Sequence, residues 1–138
     1  VDRKGNIFAD KIEVQPAKIA RALGIDRRVV IDTAKSIGSD EKLLQIFHHL
    51  QPRALFGGVG KELGFDVLEI RADPKEKGIV AKITSLLFES NMSIRQIIAD
   101  DPELFPDPVL TIVVDGKLSA KTLKQLKEMP FAQSIQVK

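Results

Sequence analysis

The chain has no cysteine, no tryptophan and no tyrosine among its 138 residues. Without cysteine there is no disulfide, no thiolate nucleophile and no thiolate zinc site. No aromatic residue is set among the basic ones, so the stacking platforms that hold single-stranded nucleic acid are missing too. No apolar run approaches the roughly eighteen residues of a membrane span, and no charged-then-apolar leader opens the chain. A cytoplasmic address without membrane attachment is therefore expected. Net charge is small, +2, and the first residue is Val1 rather than methionine.

Hydrophobic residues make up 43% of the chain, enough for one domain or two small ones, each with a core. Charge is unevenly spread. Residues 1–65 carry 11 Lys and Arg against 8 Asp and Glu, whereas residues 66–138 carry 10 against 11. The excess in the first half points to a polyanionic partner there, with random surface variation as the alternative.

In the first half, "RKGN" (3–6) reads as a turn, and "IFADKIEV" (7–14) has the β-branched content of a strand or wing. The period then changes. From Pro16, suited to the first helical position, Ile19, Ala20 and Leu23 form a helical face that Gly24 ends. Asp26 is a good N-cap for a second helix running to about Ile37, with Val30, Ala34 and Ile37 on one face. Gly38, Ser39 and Asp40 close it, and "EKLLQIFHHL" (41–50) predicts a third helix. "PRALFGGVGKELGF" (52–65), with four glycines, reads as a connector holding one short helix from Gly60 to Leu63.

The second half follows a different pattern. "FDVLEIRA" (65–72) alternates with Leu68, Ile70 and Ala72 on one face, as a half-buried strand does. After the loop "DPKEK", Gly78 opens a helix with Val80, Ile83 and Leu87 at helical spacing. "SIRQIIAD" (93–100) and "PVLTIVVDG" (108–116) are strands, and the prolines between them forbid a tight hairpin. Ser119 caps a helix burying Leu123, Leu126 and Met129, and "QSIQVK" (133–138) is the last strand. The order βαββαβ is the split ferredoxin-like motif, with two helices on one face of an antiparallel sheet. The fold class is thus α+β. Region 1–51 is helical with a short strand or wing, 52–65 is a connector, and 66–138 is the ferredoxin-like domain. The sheet's other face is expected to expose Val67, Ile97, Val109 and Val113, a patch suited to a symmetric homodimer or higher oligomer.

Arg27 and Arg28 stand at the start of a helix, where the macrodipole disfavours positive charge. A helix, a glycine turn and a second helix of this size match the helix-turn-helix pattern. Its small residue at the crossing, turn glycine and packing residue six further on are Ala20, Gly24 and Val30. In that motif the second helix enters the major groove of double-stranded DNA, whose phosphates supply the missing negative charge. Lys18, Arg21 and Lys35 are further phosphate candidates. The alternative is an ordinary αα-hairpin with Arg28 paired to Asp32 on its surface.

Two stretches together, "ALGIDRRVVIDT" and "VLEIRADPKEKGIVAKITSLLFESNMSIRQIIADDPEL", resemble the prokaryotic, mostly archaeal, predicted regulators of amino-acid metabolism that carry a helix-turn-helix ahead of an ACT domain. The resemblance covers essentially the whole chain and is most specific in "DRRVV" and "SIRQIIADDPEL". It implies further chain before Val1, a DNA-binding first half, and an ACT domain that senses a small-molecule effector, commonly an amino acid, at a subunit interface. Asp73, Lys77, Gly78 and Ile79 match the ACT loop, although Lys77 replaces the usual proline; Asn91 and Ser93 match the corner after the helix. Gly78 would let backbone approach a ligand, and the helix amides after it would receive a carboxylate. A tight strand-to-helix turn explains the same glycine.

Three other features carry no chemistry by themselves. His48 and His49 diverge by about 100° on a helix and share no metal. Asp100, Asp101, Glu103 and Asp107 form an acidic loop that suits a cation or a ligand ammonium, or simply turn capping around its prolines. Lys117, Lys121 and Lys124 read as the wet face of the last helix. With no nucleophile beside a base, no phosphate loop and no metal set, neither enzymatic activity nor a cofactor is expected. The expected function is a ligand-responsive transcriptional regulator of amino-acid metabolism. The alternative is a regulatory or assembly protein that acts on a partner protein through its ACT domain.

Overall fold

The computed structural model describes residues 1–73 and 75–138, so Pro74 of the "DPKEK" loop lies outside the described residues. Two compact units divide the chain, Val1–Ala54 and Leu55–Lys138. No helix is long and apolar enough to cross a membrane among the described residues.

In the first unit, residues 7–14 form a hairpin of two short strands, β1 (Phe8–Ala9) and β2 (Ile12–Glu13), a wing rather than a single strand, the second of the two alternatives their sequence offers. Asp10 takes a left-handed φ of 54°, which reverses the chain where continuous alternation suggested extension. α1 (Pro16–Leu23) starts on its proline and stops at Gly24, φ 66°. Asp26 accepts the Arg28 N–H at 2.7 Å and so starts α2 (Arg27–Ser39). α2 continues through Gly38, where a Cβ would sit 2.6 Å from the Asp2 carbonyl oxygen; glycine there lets the N-terminal turn lie directly on the helix. Asp2 holds that turn by accepting the Asn6 and Lys4 N–H groups. The Asn6 N–H is the main reason its carboxyl titrates below the ordinary value. Asp40 ends α2 and caps α3 (Glu41–His49) through the Leu43 N–H. Ala20, Val30, Ala34, Ile37 and Leu44 form the buried interior.

The second unit runs β3 (Asp66–Ala72), α4 (Ile79–Glu89), β4 (Ile94–Ala99), β5 (Leu110–Val114), α5 (Ala120–Lys127) and β6 (Ala132–Val137). Its sheet order is β4-β5-β3-β6 with every neighbouring pair antiparallel, the ferredoxin-like arrangement. Leu68, Ile70, Ile112 and Val114 of the central strands pack against Ile83 and Leu87 of α4 and Leu126 of α5. Val80, expected on the buried face of α4, is 41% exposed, and Leu86 packs into the core instead. The first turn of α4 overhangs a hollow of which Val80 forms a wall.

Asp66, 7% exposed, opens the central strand on its core-facing side. Its carboxylate accepts the Leu118 N–H at 2.8 Å and the Lys117 ammonium at 2.7 Å. Lys117 therefore ties the β5–α5 turn to β3 and precedes the wet face of α5, to which its spacing with Lys121 and Lys124 had pointed.

Residues 55–65 belong to this second unit and form consecutive turns, with no helix over Gly60–Leu63. They lie against the sheet face that α4 and α5 leave bare. The Phe56 N–H donates to Gln96 Oε1 at 2.8 Å, and Gly60 approaches Val67 so closely that a Cβ would meet its Cγ2. Arg95 stacks its guanidinium 4.9 Å from the Phe65 ring centre, beside a register shift in β4. In consequence Val67 and Val113 are 1% and 0% exposed, which corrects the expectation of an open apolar sheet face. Ile97 is opposite Ile112, on the helix side of the sheet at its edge, and Val109 is half-buried before β5.

Replacing Asp66 with Ala strands the buried Leu118 N–H and is expected to destabilise the protein by roughly 1–3 kcal/mol in urea unfolding. Lys117→Ala removes only an exposed partner and should cost less than about 1 kcal/mol. Equal losses in the two variants would show that the ion pair, not the N–H, matters.

Candidate functional site

The first chemical feature is a basic surface on α1 and α2. Lys18 and Arg21 project from α1, and Arg27, Arg28 and Lys35 from α2; all five are exposed. None makes an ion pair among the described residues, and the Arg28–Asp32 pair considered from spacing does not form. The N-cap carboxylate of Asp26 offsets the positive end of α2, and Arg27 and Arg28 stand exposed beside it without ionic partners. Ala20 and Val30, 5% and 7% exposed, hold the two helices together behind this surface.

The second feature is a hollow of about 120 Å³ at the start of α4, walled by Ile70, Ala72, Ile79, Val80, Val109 and Leu110. Asp100 is its one ionisable lining residue. The Asp100 carboxylate accepts the Val109 N–H at 3.1 Å, closing the neck of the β4–β5 loop, and meets no cation among the described residues. Gly78 precedes the helix at φ 83° with nothing within 4 Å of where a Cβ would be. The left-handed turn, not crowding, calls for glycine. The first-turn amides of α4 have no intrahelical acceptor. Apolar walls, unpaired N–H donors and one carboxylate are the groups that a small zwitterion requires.

The structure separates the six residues matched to an effector site. Ile79 lines the hollow, and Lys77 and Gly78 adjoin it along the chain. Asp73 lines a neighbouring cleft of about 290 Å³ with Arg71, Phe105 and Asp107. Arg71 donates to Asp107 at 2.8 Å, which raises the Arg71 pKa above its ordinary value. Asn91 and Ser93 stand at the far end of the 11-residue helix α4, about 16 Å away at 1.5 Å per residue. Asn91, φ 55°, terminates that helix: its N–H reaches the Phe88 carbonyl and the Met92 N–H reaches the Leu87 carbonyl, a Schellman cap.

No spacing or motif in the sequence points Asp100, Val109 and Leu110 to this hollow. Proximity between the end of β4 and the start of α4 is a product of topology, and only the carboxylate of Asp100 leaves a trace in the sequence. In the acidic loop, Asp101 caps Glu103 and Asp107 pairs with Arg71, which accounts for both without a ligand. The His48 and His49 rings meet edge to face, 5.7 Å apart.

The chain matches no family model and no curated protein. Among solved structures it is similar to one of aspartokinase alpha and beta subunits, at 19% identity and TM-score 0.44, over 54% of this chain and 49% of that one. A homoserine dehydrogenase from Thiobacillus denitrificans aligns at 13% identity and TM-score 0.42 over 80% of this chain and 26% of that one. PH0061 aligns at 12% identity and TM-score 0.30 over 94% and 82%. The chain thus spans about half the length of the aspartokinase chain and about a quarter of the dehydrogenase chain.

If Asn91 serves the helix end, Asn91→Ala should lower stability by about 1 kcal/mol through its left-handed backbone, and Asn91→Gly should be nearly neutral. Thermal unfolding of both variants checks this, and a stable Ala variant would contradict the capping role.

Proposed function

We propose that the protein is a ligand-responsive, non-enzymatic transcriptional regulator of amino-acid metabolism. The α1–turn–α2 pair reads double-stranded DNA, and the hollow at the start of α4 takes a small amino acid. The observation that carries the DNA reading is the set of five exposed basic side chains without ionic partners: Arg27 and Arg28 at the start of α2, Lys18 and Arg21 on α1, and Lys35 more than two turns further along α2. A duplex contributes phosphates along both sides of the groove that such a helix enters, which neutralises Arg27 and Arg28 together.

Support for the effector comes from the composition of the hollow. Asp100 attracts an ammonium, the α4 amides attract a carboxylate, and the small apolar chamber favours an aliphatic side chain over an aromatic one. A homodimer or higher oligomer would present two recognition helices to a two-fold site. Effector and DNA are then linked if each prefers one arrangement of the copies. The second reading, a regulator acting on a partner protein, is favoured by Leu104 and Phe105, 76% and 50% exposed on the β4–β5 loop.

Titration of mixed-sequence duplex DNA by fluorescence anisotropy tests the first half. Arg27→Ala with Arg28→Ala should weaken binding and lower the slope of log K against log salt by about 2. No binding by the native chain, or an unchanged slope in the variant, would favour the partner-protein reading. For the second half, Ala72→Leu fills the hollow. Any rise in melting temperature that aliphatic amino acids give the native chain should disappear in this variant. An equal rise would place the ligand elsewhere.

A further inference from the structure

Helix α3 has more apolar surface than its own unit uses. Leu44 is buried in the interior, but Leu43, Ile46 and Phe47, with Leu50 at the cap just past the helix, are 38%, 49%, 38% and 65% exposed. Their spacing of three, four and seven residues places them in one narrow stripe, the seam of a two-helix pairing. Polar residues lie beside it, with Gln45 on the opposite side of the helix.

We infer that this stripe is an interface with a second copy of the chain, the two α3 helices lying antiparallel across a two-fold axis. The stripe reads the same in either direction. Reversed, Leu43 falls opposite Leu50 and Ile46 opposite Phe47, so each large side chain meets another. The axis passes between Ile46 and Phe47. An isologous contact needs this self-complementarity, and a surface meant for an unrelated partner does not.

Charge agrees with the direction. Asp40 and Glu41, followed by Lys42, open α3, and Arg53 follows its end. Antiparallel pairing brings Asp40 and Glu41 of each helix toward Arg53 of the other and opposes the helix dipoles, which parallel pairing aligns. Glu41 is already paired with Arg3 at 3.0 Å, so these charges steer the contact more than they hold it.

A four-residue stripe is small beside the ~1,600 Å² of a stable interface. The contact is therefore weak alone and strengthens when another interface holds two copies close. It does not depend on what the hollow binds or on contact with DNA.

Because these 138 residues contain no cysteine, single thiols introduced into this chain test the geometry. Under mild oxidation with diamide, Ile46→Cys should shift from monomer to disulfide-linked dimer on a non-reducing gel, and Gln45→Cys should not. Mixing Leu43→Cys with Leu50→Cys should give mixed dimers well above either self-linked form. All the Cys positions are exposed, so folding is retained, and circular dichroism confirms it. Cross-linking of Ile46→Cys no faster than Gln45→Cys would overturn the interface. An Ile46→Cys thiol that stays monomeric and is shielded from maleimide would overturn it as well, since another part of the chain then covers the stripe. Self-linked forms dominating the mixture would overturn the antiparallel arrangement.

Discussion

The second unit depends on a buried carboxylate at the first residue of its central strand. Asp66 can stay out of water only because it is fully engaged, by the Leu118 N–H and the Lys117 ammonium. Those two bonds fix where the chain leaves β5 and turns into α5. One residue further on, Val67 and Lys138 exchange backbone hydrogen bonds and fix the end of β6. Both neighbours of β3 are thus set from its first two residues. Slipping the register by one would turn Leu68 and Ile70 out of the core and bring Glu69 into it. The hollow beside α4 sits at the other end of the same strand, at Ile70 and Ala72, so its walls inherit this register.

Much of the fold is legible in the sequence because its signals are local. A proline at the start of α1, a glycine at its end and aspartates before α2 and α3 act within a few residues, and the structure uses each of them. Alternation in β3 and the order of the four strands are equally readable. Residues 55–65 are not. Their glycines look like a linker, yet Gly60 is the point of closest packing against Val67. The close approach of Gly60 and the half-buried rings of Phe56 and Phe65 make the second face of this sheet an interior, while Val59 and Leu63 stay 47% and 51% exposed, so no run of apolar residues in the sequence marks the contact.

The candidate sites divide along the same line. Arg27 and Arg28 are visible because charge against a helix dipole is a local contradiction, detectable in four residues. Gly78 is visible because a left-handed turn needs it. The hollow draws on β3, α4, β4 and the start of β5, and no window of sequence brings Ala72, Val80 and Asp100 together. The place of Asn91 after the helix suggests a ligand contact, but its positive φ and two backbone bonds make it a helix stop.

The register shift between Ile94 and Gln96 in β4 has an effect on solution behaviour. β4 is an outer strand of the sheet, and its free rim of backbone donors and acceptors is a template on which further strands can add without limit. The irregularity twists that rim, and Arg95, held by the Phe65 ring and by Asp115, keeps a charge on it. An incoming strand finds neither a flat partner nor an uncharged one. Growth into fibrils along this edge is thereby disfavoured.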